Sequence, residues 1–197
     1  DKANNKPMTT DAIFNLASMT KVMASVSALT FYEEGKLPLN APISNWLPQF
    51  KDMKVGQVDA DGKLNLVPAK NQITVQDLMR HTNGLTYGGR GATPVHKFYP
   101  AGSAPAAVQY TAQEFIDKLA SNPLLYEPGT AWDYGFGLDV LGILEEKIAN
   151  KPLGAIMQER IWNKVGMPNT TFELAEKDRS RLAQPLPIDP FTGKPQT

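Results

Sequence analysis

Apolar positions follow two different spacings along this chain, and the change between them comes early. Residues 12–16, Ala-Ile-Phe-Asn-Leu, read as a short strand ending at Ala17-Ser18. From Met19 the spacing lengthens. Val22, Val26, Leu29 and Phe31, with the small Ala24 and Ala28 between them, predict a buried amphipathic helix to about Glu34. Gly35 follows as a helix-closing residue, and Pro38 and Pro42 forbid continuation. Residues 53–67 carry a hairpin pattern, with Val55 and Val58 facing Leu64 and Leu66 across a two-residue Asp61-Gly62 turn. Thr74 is placed to cap a short helix, Val75 to Arg80. Thr111-Ala-Gln-Glu114 is a capping box ahead of a helix over Ala112 to Ser121. Two more helices are predicted, Leu138 to Ala149 and Leu153 to Trp162, after a tight turn at Glu127-Pro-Gly-Thr130. Residues 84–107 are rich in glycine and proline and read as a long ordered loop, of the kind that walls a binding site. The stretch from Arg181 to Thr197, with Pro185, Pro187, Pro190 and Pro195, reads as extended coil. The pattern is mainly helical with few strands, and a lone strand at 12–16 needs a partner for its backbone groups.

Composition narrows the chemistry. The 197 residues hold 20 Lys plus Arg against 20 Asp plus Glu, so the basic excess that a nucleic-acid binder needs is missing. A hydrophobic fraction of 42% is enough to fold. No apolar run nears the ~18 residues of a membrane span, and the first six residues, Asp-Lys-Ala-Asn-Asn-Lys, do not read as a signal peptide. Cysteine is absent, which removes disulfides, thiol nucleophiles and cysteine zinc sites. The two histidines, His81 and His96, show no metal-ligand spacing, so neither a metal nor another cofactor is expected. No Gly-x-Ser-x-Gly elbow and no phosphate-binding loop occurs.

One constellation remains. Ser18-Met-Thr-Lys21 sets a hydroxyl and an amine three residues apart at a helix start, on one face. First-turn amides and the helix dipole there favour a developing oxyanion. To act as a base the lysine must be neutral, whereas at its ordinary pKa of about 10.4 only about one in 2,500 is neutral at pH 7. Burial and a neighbouring cation are therefore expected to lower Lys21 to about 7–8. A Ser-x-x-Lys pair alone also suits a capped helix with a solvated lysine. Downstream, Trp132-Asp-Tyr134-Gly-Phe-Gly places a phenol just before a helix, either as a proton relay or as a core aromatic.

Taken together, four blocks resemble the serine β-lactamase and penicillin-binding-protein-like hydrolases: Ile13 to Lys21, Gly35 to Ile43, Ile73 to Leu85, and Pro128 to Gly142. The resemblance implies a β-lactamase/transpeptidase-like α/β (α+β) fold, an antiparallel sheet flanked by helices plus a helical domain. It implies Ser18 as nucleophile, Lys21 as its base partner and Tyr134 as the proton-relay tyrosine. Members that act on β-lactams or D-alanyl peptides usually carry Tyr-x-Asn. Phe136 stands at the third position here, and Tyr134 to Gly142 is more similar to the family VIII carboxylesterases. The expected activity is thus cleavage of short-chain esters through an acyl-enzyme, with Phe136 a substrate-binding candidate. The alternatives are a β-lactamase or D-alanyl-D-alanine carboxypeptidase, or an inactive fragment that only assembles with a complementary chain. The loop at 84–107 is expected to shape the acyl pocket. His81 is read as structural, His96 as solvated, Asp77 as a helix-end charge and Asp133 as a turn former. On this reading residues 1–35 are the nucleophile strand–helix segment, 36–180 a mainly helical domain, and 181–197 a coil leading to a C-terminal part. That part, on the same or a separate polypeptide, supplies most of the sheet and the second oxyanion amide in the family. The lone chain is therefore expected to be poorly active. Its partners are expected to be a small ester or β-lactam and the complementary segment, with no nucleic acid and no membrane. The compartment stays open between bacterial cytoplasm and periplasm.

Overall fold

The computed structural model describes residues 7–184, 186, 188–189 and 192–195. The first six residues, and with them the signal-peptide reading, lie outside the described residues, as do Pro185, Pro187 and Pro190 of the predicted coil. A 3-10 turn over Ala17–Met19 runs straight into α1 (Thr20–Glu33). A hairpin follows, β1 (Lys54–Val58) and β2 (Leu64–Pro68), then α2 (Val75–Met79), α3 (Ser103–Gln109), α4 (Ala112–Ser121) and α5 (Gly137–Ala149). Next come α6 (Leu153–Met157), a π-helical stretch over Gln158–Trp162, and α7 (Asn163–Val165), which make one nearly continuous helical run.

Local chemistry set most of these boundaries. Thr74 and Asp77 form a reciprocal capping box at α2, and Thr111 and Glu114 form another at α4, each satisfying donors that a helix start leaves open. The core gathers around α5, where Leu138, Val140, Leu141 and Leu144 are buried against Leu78 of α2, Phe115 and Leu119 of α4, and Phe31 of α1. A smaller cluster joins Ala24 of α1 to Met157, Ile161 and Trp162. Among the described residues no helix is long and apolar enough to cross a membrane.

Several expectations are corrected. Only Ile13 of the predicted 12–16 strand pairs, in a single parallel bridge with Leu182: its amide donates to the Arg181 carbonyl and its carbonyl accepts from Ala183. The stretch after Arg181 is therefore not all free coil. The hairpin closes through a three-residue loop rather than two. Asp59 pairs with Lys63, Gly62 sits at φ +80°, and the Asp59 carboxylate accepts the Asp61 and Lys63 amides. In consequence Val58 faces Leu64, but Val55 faces Val67 instead of Leu66. The 84–107 segment is not one loop. It contains 3-10 turns over Gly88–Arg90 and Pro94–Phe98 and the start of α3, and it buries Leu85, Val95 and Tyr99. His96 is buried rather than solvated, its Nδ1 bonded to the Thr93 hydroxyl at 2.7 Å. Finally, α1 buries Ala24, Ser27, Ala28 and Phe31, while Val22, Val26 and Leu29 stay exposed. A helix apolar on every side does not announce which side packs.

Candidate active site

Ser18 stands on a strained turn. Ala17, before it, has φ +44°, a left-handed conformation uncommon for a residue with a Cβ, and its amide donates to the Asn15 side chain at 3.0 Å. The 3-10 turn then presents the Ser18 hydroxyl, and the first turn of α1 brings Lys21 back over it, with Nζ 3.5 Å from Oγ. The partner from across the fold is Tyr134, whose hydroxyl donates to Ser18 Oγ at 2.6 Å. Glycines on either side of Phe136 permit this approach. A Cβ at Gly135 would lie 1.9 Å from the Leu85 carbonyl oxygen, and one at Gly137 would lie 2.6 Å from that of Leu78. No side chain fits between these backbones, so the 134–137 turn lies flat against the end of α2 and the segment after it.

The surroundings of Tyr134 contain residues the spacing did not single out. The His81 ring stacks on the phenol with centroids 4.7 Å apart, and Tyr87 meets it edge-on at 5.6 Å. Lys21 Nζ and the Arg90 guanidinium lie 5.1 and 5.4 Å from the centre of the Tyr134 ring. His81 does close α2, with φ +58°, so its backbone plays the structural part expected; its ring additionally supports Tyr134. Arg90 and Tyr87 come from an irregular segment that carries no periodicity to read. Asp77 is the helix-end charge expected, paired to Arg80 at 3.0 Å. Asp133 donates its amide to the His81 carbonyl at 2.9 Å. Trp132 is exposed and Tyr134 half-buried, so neither is a core aromatic.

Phe136 is the opposite case. It is fully buried, packed edge-on against Tyr87 at 4.5 Å and Phe115 at 5.2 Å, and does not line the cavity beside Ser18. The expectation that it meets substrate is replaced by support of the site wall from behind.

Electrostatics revise the lysine. Burial lowers the Lys21 pKa, but the hydrogen bond to Tyr134 and the charges of Tyr87, Asp139 and Tyr134 outweigh it, and the net shift is upward. The expected neutral amine is therefore corrected, because the partners that favour the ammonium outweigh burial. Tyr134 moves the other way. Burial raises its pKa, yet the hydrogen bonds with Ser18 and Lys21 and the ammonium charge bring it below the ordinary phenol value. A phenol with a loosened proton thus touches the hydroxyl, and an ammonium stands ready to neutralise the phenolate. The His81 imidazole is pushed down by burial and by the Lys21 and Arg90 charges.

Ser18 and Lys21 open onto a cavity of about 870 Å³. Small residues from Ala101 to Ala107 form one wall, α5 another, and Leu153, Met157 and Phe172 the far end. This is the size and apolar character of a small-molecule site. Among the described residues no cluster is placed to hold a metal ion.

Residues 1–190 match the model of the Beta-lactamase family. The chain is 33% identical over 193 residues to "Esterase EstB" of Burkholderia gladioli, covering 95% of this chain and 46% of EstB. It is 34% identical over 187 residues to "Protein Rv1367c" of Mycobacterium tuberculosis, covering 93% and 45%. Among solved structures it resembles "EstCE1, a hydrolase with promiscuous acyltransferase activity" (TM-score 0.72, 30% identity, covering 93% of this chain and 45% of that one). It also resembles unliganded simvastatin synthase from Aspergillus terreus (TM-score 0.76, 28% identity, covering 98% and 49%). The fold is β-lactamase/transpeptidase-like, and in this chain it is mostly helical with one antiparallel strand pair among the described residues. The chain spans about half the length of the curated relatives it matches.

Proposed function

We propose, because this chain belongs to the β-lactamase family, that it carries the nucleophile half of a serine carboxylesterase acting on short-chain esters. The observation that carries the reading is the Ser18 hydroxyl held at 2.6 Å by Tyr134, with Lys21 at 3.5 Å, on the wall of an apolar cavity. The name of the relative EstB supports an ester substrate.

In the proposed mechanism Tyr134, as phenolate, takes the Ser18 proton while Oγ attacks the ester carbonyl carbon. Lys21 remains an ammonium and stabilises the phenolate. The Ser18 amide, at the positive start of the helix, is one oxyanion donor. Collapse of the tetrahedral adduct breaks the carbonyl–alkoxy bond, and the alcohol leaves with the proton from Tyr134. Water then attacks the acyl-serine, giving one proton to Tyr134, which passes it to Ser18 as the acid departs. The second oxyanion donor is proposed to come from a complementary segment corresponding to the rest of the relatives' length, on the same or a separate polypeptide.

The cavity supports the ester reading over β-lactam cleavage. An acylamide side chain needs an amide to grip it, and the position that resemblance gives to that amide holds the buried Phe136. The small side chains of α3 are proposed to set the acyl limit. Ala107→Leu should shift preference toward shorter acyl chains, and an unchanged chain-length profile would remove that assignment. The direct test, made on the chain together with its proposed complementary segment, sets a short nitrophenyl ester beside a chromogenic cephalosporin. Ester turnover that disappears in Ser18→Ala, with slow or no cephalosporin opening, is the expected result. Wild-type-like ester turnover by Ser18→Ala would overturn the reading.

A further inference from the structure

Behind the site, α1 and α5 are joined by one buried polar contact. The Ser27 hydroxyl of α1 donates to Glu145 Oε2 of α5, and both residues are fully buried. Glu145 Oε1 has no hydrogen-bond partner among the described residues. Among the described residues no side-chain cation bonds the carboxyl. Arg160, the nearby cation, spends its guanidinium on Glu34 at 2.7 Å, on the Thr30 hydroxyl at 2.8 Å and on the face of Phe31. Two of the proposed catalytic groups, Ser18 and Lys21, lie at the start of α1, and the third, Tyr134, lies three residues before α5. The contact therefore ties together the two elements that must stay in register for Tyr134 to reach Ser18.

We infer that Glu145, through its bond to Ser27, is a positioning residue that sets how the Ser18–Lys21 helix sits against the segment carrying Tyr134. The positioning role rests on the esterase reading above; the state of the carboxyl does not. A buried carboxyl lacking a cation and half its acceptor bonds holds a proton. Burial is the largest influence, pushing it up to about 8 against the opposing Ser27 bond and Arg160 charge, with Glu146 on its own helix adding to the rise. From α1 it meets a hydroxyl and no charge. From α2, Asp77 pairs with Arg80 beside Gly129, and α2 approaches α5 at its Gly137 end through the Leu78 carbonyl. Ionisation leaves a carboxylate between two helices with no counter-charge of its own, and the contact becomes a liability.

The sign follows from proton binding. Between its ordinary 4.5 and about 8 the folded protein holds a proton that the unfolded chain has lost. The contribution of Glu145 is thus fully present below pH 4.5 and falls as pH rises to about 8, by up to about tenfold in the unfolding equilibrium per pH unit. Glu145→Gln keeps the shape and removes the titration. Its stability relative to wild type is expected to rise steadily from pH 5 to 8 in urea unfolding. For the site, labelling of Ser18 by a fluorophosphonate in wild type should fall progressively behind that of Glu145→Gln above pH 8, leaving the variant about tenfold faster at pH 9.5. Carbon-13 NMR of the wild-type glutamate carboxyls reads the proton directly and does not depend on any variant folding: one signal should titrate near pH 8. Absence of any signal titrating above about pH 6 would overturn the inference, as would superimposable labelling profiles for wild type and Glu145→Gln. Absence of Ser18 labelling at every pH would instead sink the esterase reading and the positioning role with it, while the NMR titration still decides the proton.

Discussion

Helices α1 and α4 differ in how plainly their apolar positions declare a packing face. α4 has one apolar face, Phe115, Ile116 and Leu119, and that face is the one buried. α1 is apolar on all sides. It buries Ala24, Ala28 and Phe31 against α5 and α6 and leaves Val22 66% and Val26 43% exposed. An amphipathic helix declares its partner through its period; a helix apolar all round declares only that it belongs inside something. The helix of the second kind is also the one that carries Lys21 and continues the 3-10 turn presenting Ser18.

The largest effect expected from this contrast is on chemistry rather than stability. Tyr134→Phe keeps the ring that His81 and Tyr87 hold but removes the hydroxyl from Ser18. Ester turnover should fall at least about 100-fold, with thermal stability nearly unchanged; a loss below threefold would remove Tyr134 from the reaction. Next come the two faces of α1. Phe31→Ala opens a cavity under Arg160 and should cost about 3–5 kcal/mol in chemical unfolding. Val22→Ser on the exposed face should stay within about 0.5 kcal/mol. Equal costs at the two positions would mean that the exposed face is covered in solution. Between these two falls α4, where Thr111→Ala removes the capping box and should cost about 1 kcal/mol.

Legibility tracked the distance over which each feature is decided. The cap at Thr74, the capping box at Thr111 and the Ser18–Lys21 pairing are settled within three residues, and the sequence pattern places them. The meeting of Ser18 with Tyr134 spans 116 residues, and no spacing rule reaches that far. Its place was suggested by family resemblance, and its physical cause is a close backbone approach at Gly135 and Gly137. The hairpin register slipped because the Asp59 carboxylate organises a longer turn than Asp-Gly alone suggests. The protonation of Lys21 is not legible in the sequence for a similar reason. Its sign depends on Tyr87, Tyr134 and Asp139, which come from three other segments.

That sign offers a way to separate the two possible bases. With Tyr134 lowered and Lys21 raised, the phenol loses its proton first and the ammonium helps it do so. The most direct test is the pH dependence of Ser18 acylation by a nitrophenyl ester between pH 6 and 8, in wild type and in Lys21→Met. Wild type should rise by about tenfold per pH unit as the phenolate fraction grows. Lys21→Met should keep the same slope but run slower at each pH, because its phenol loses the ammonium that lowers it. A Lys21→Met profile that is flat with pH, or as fast as wild type, would contradict the account.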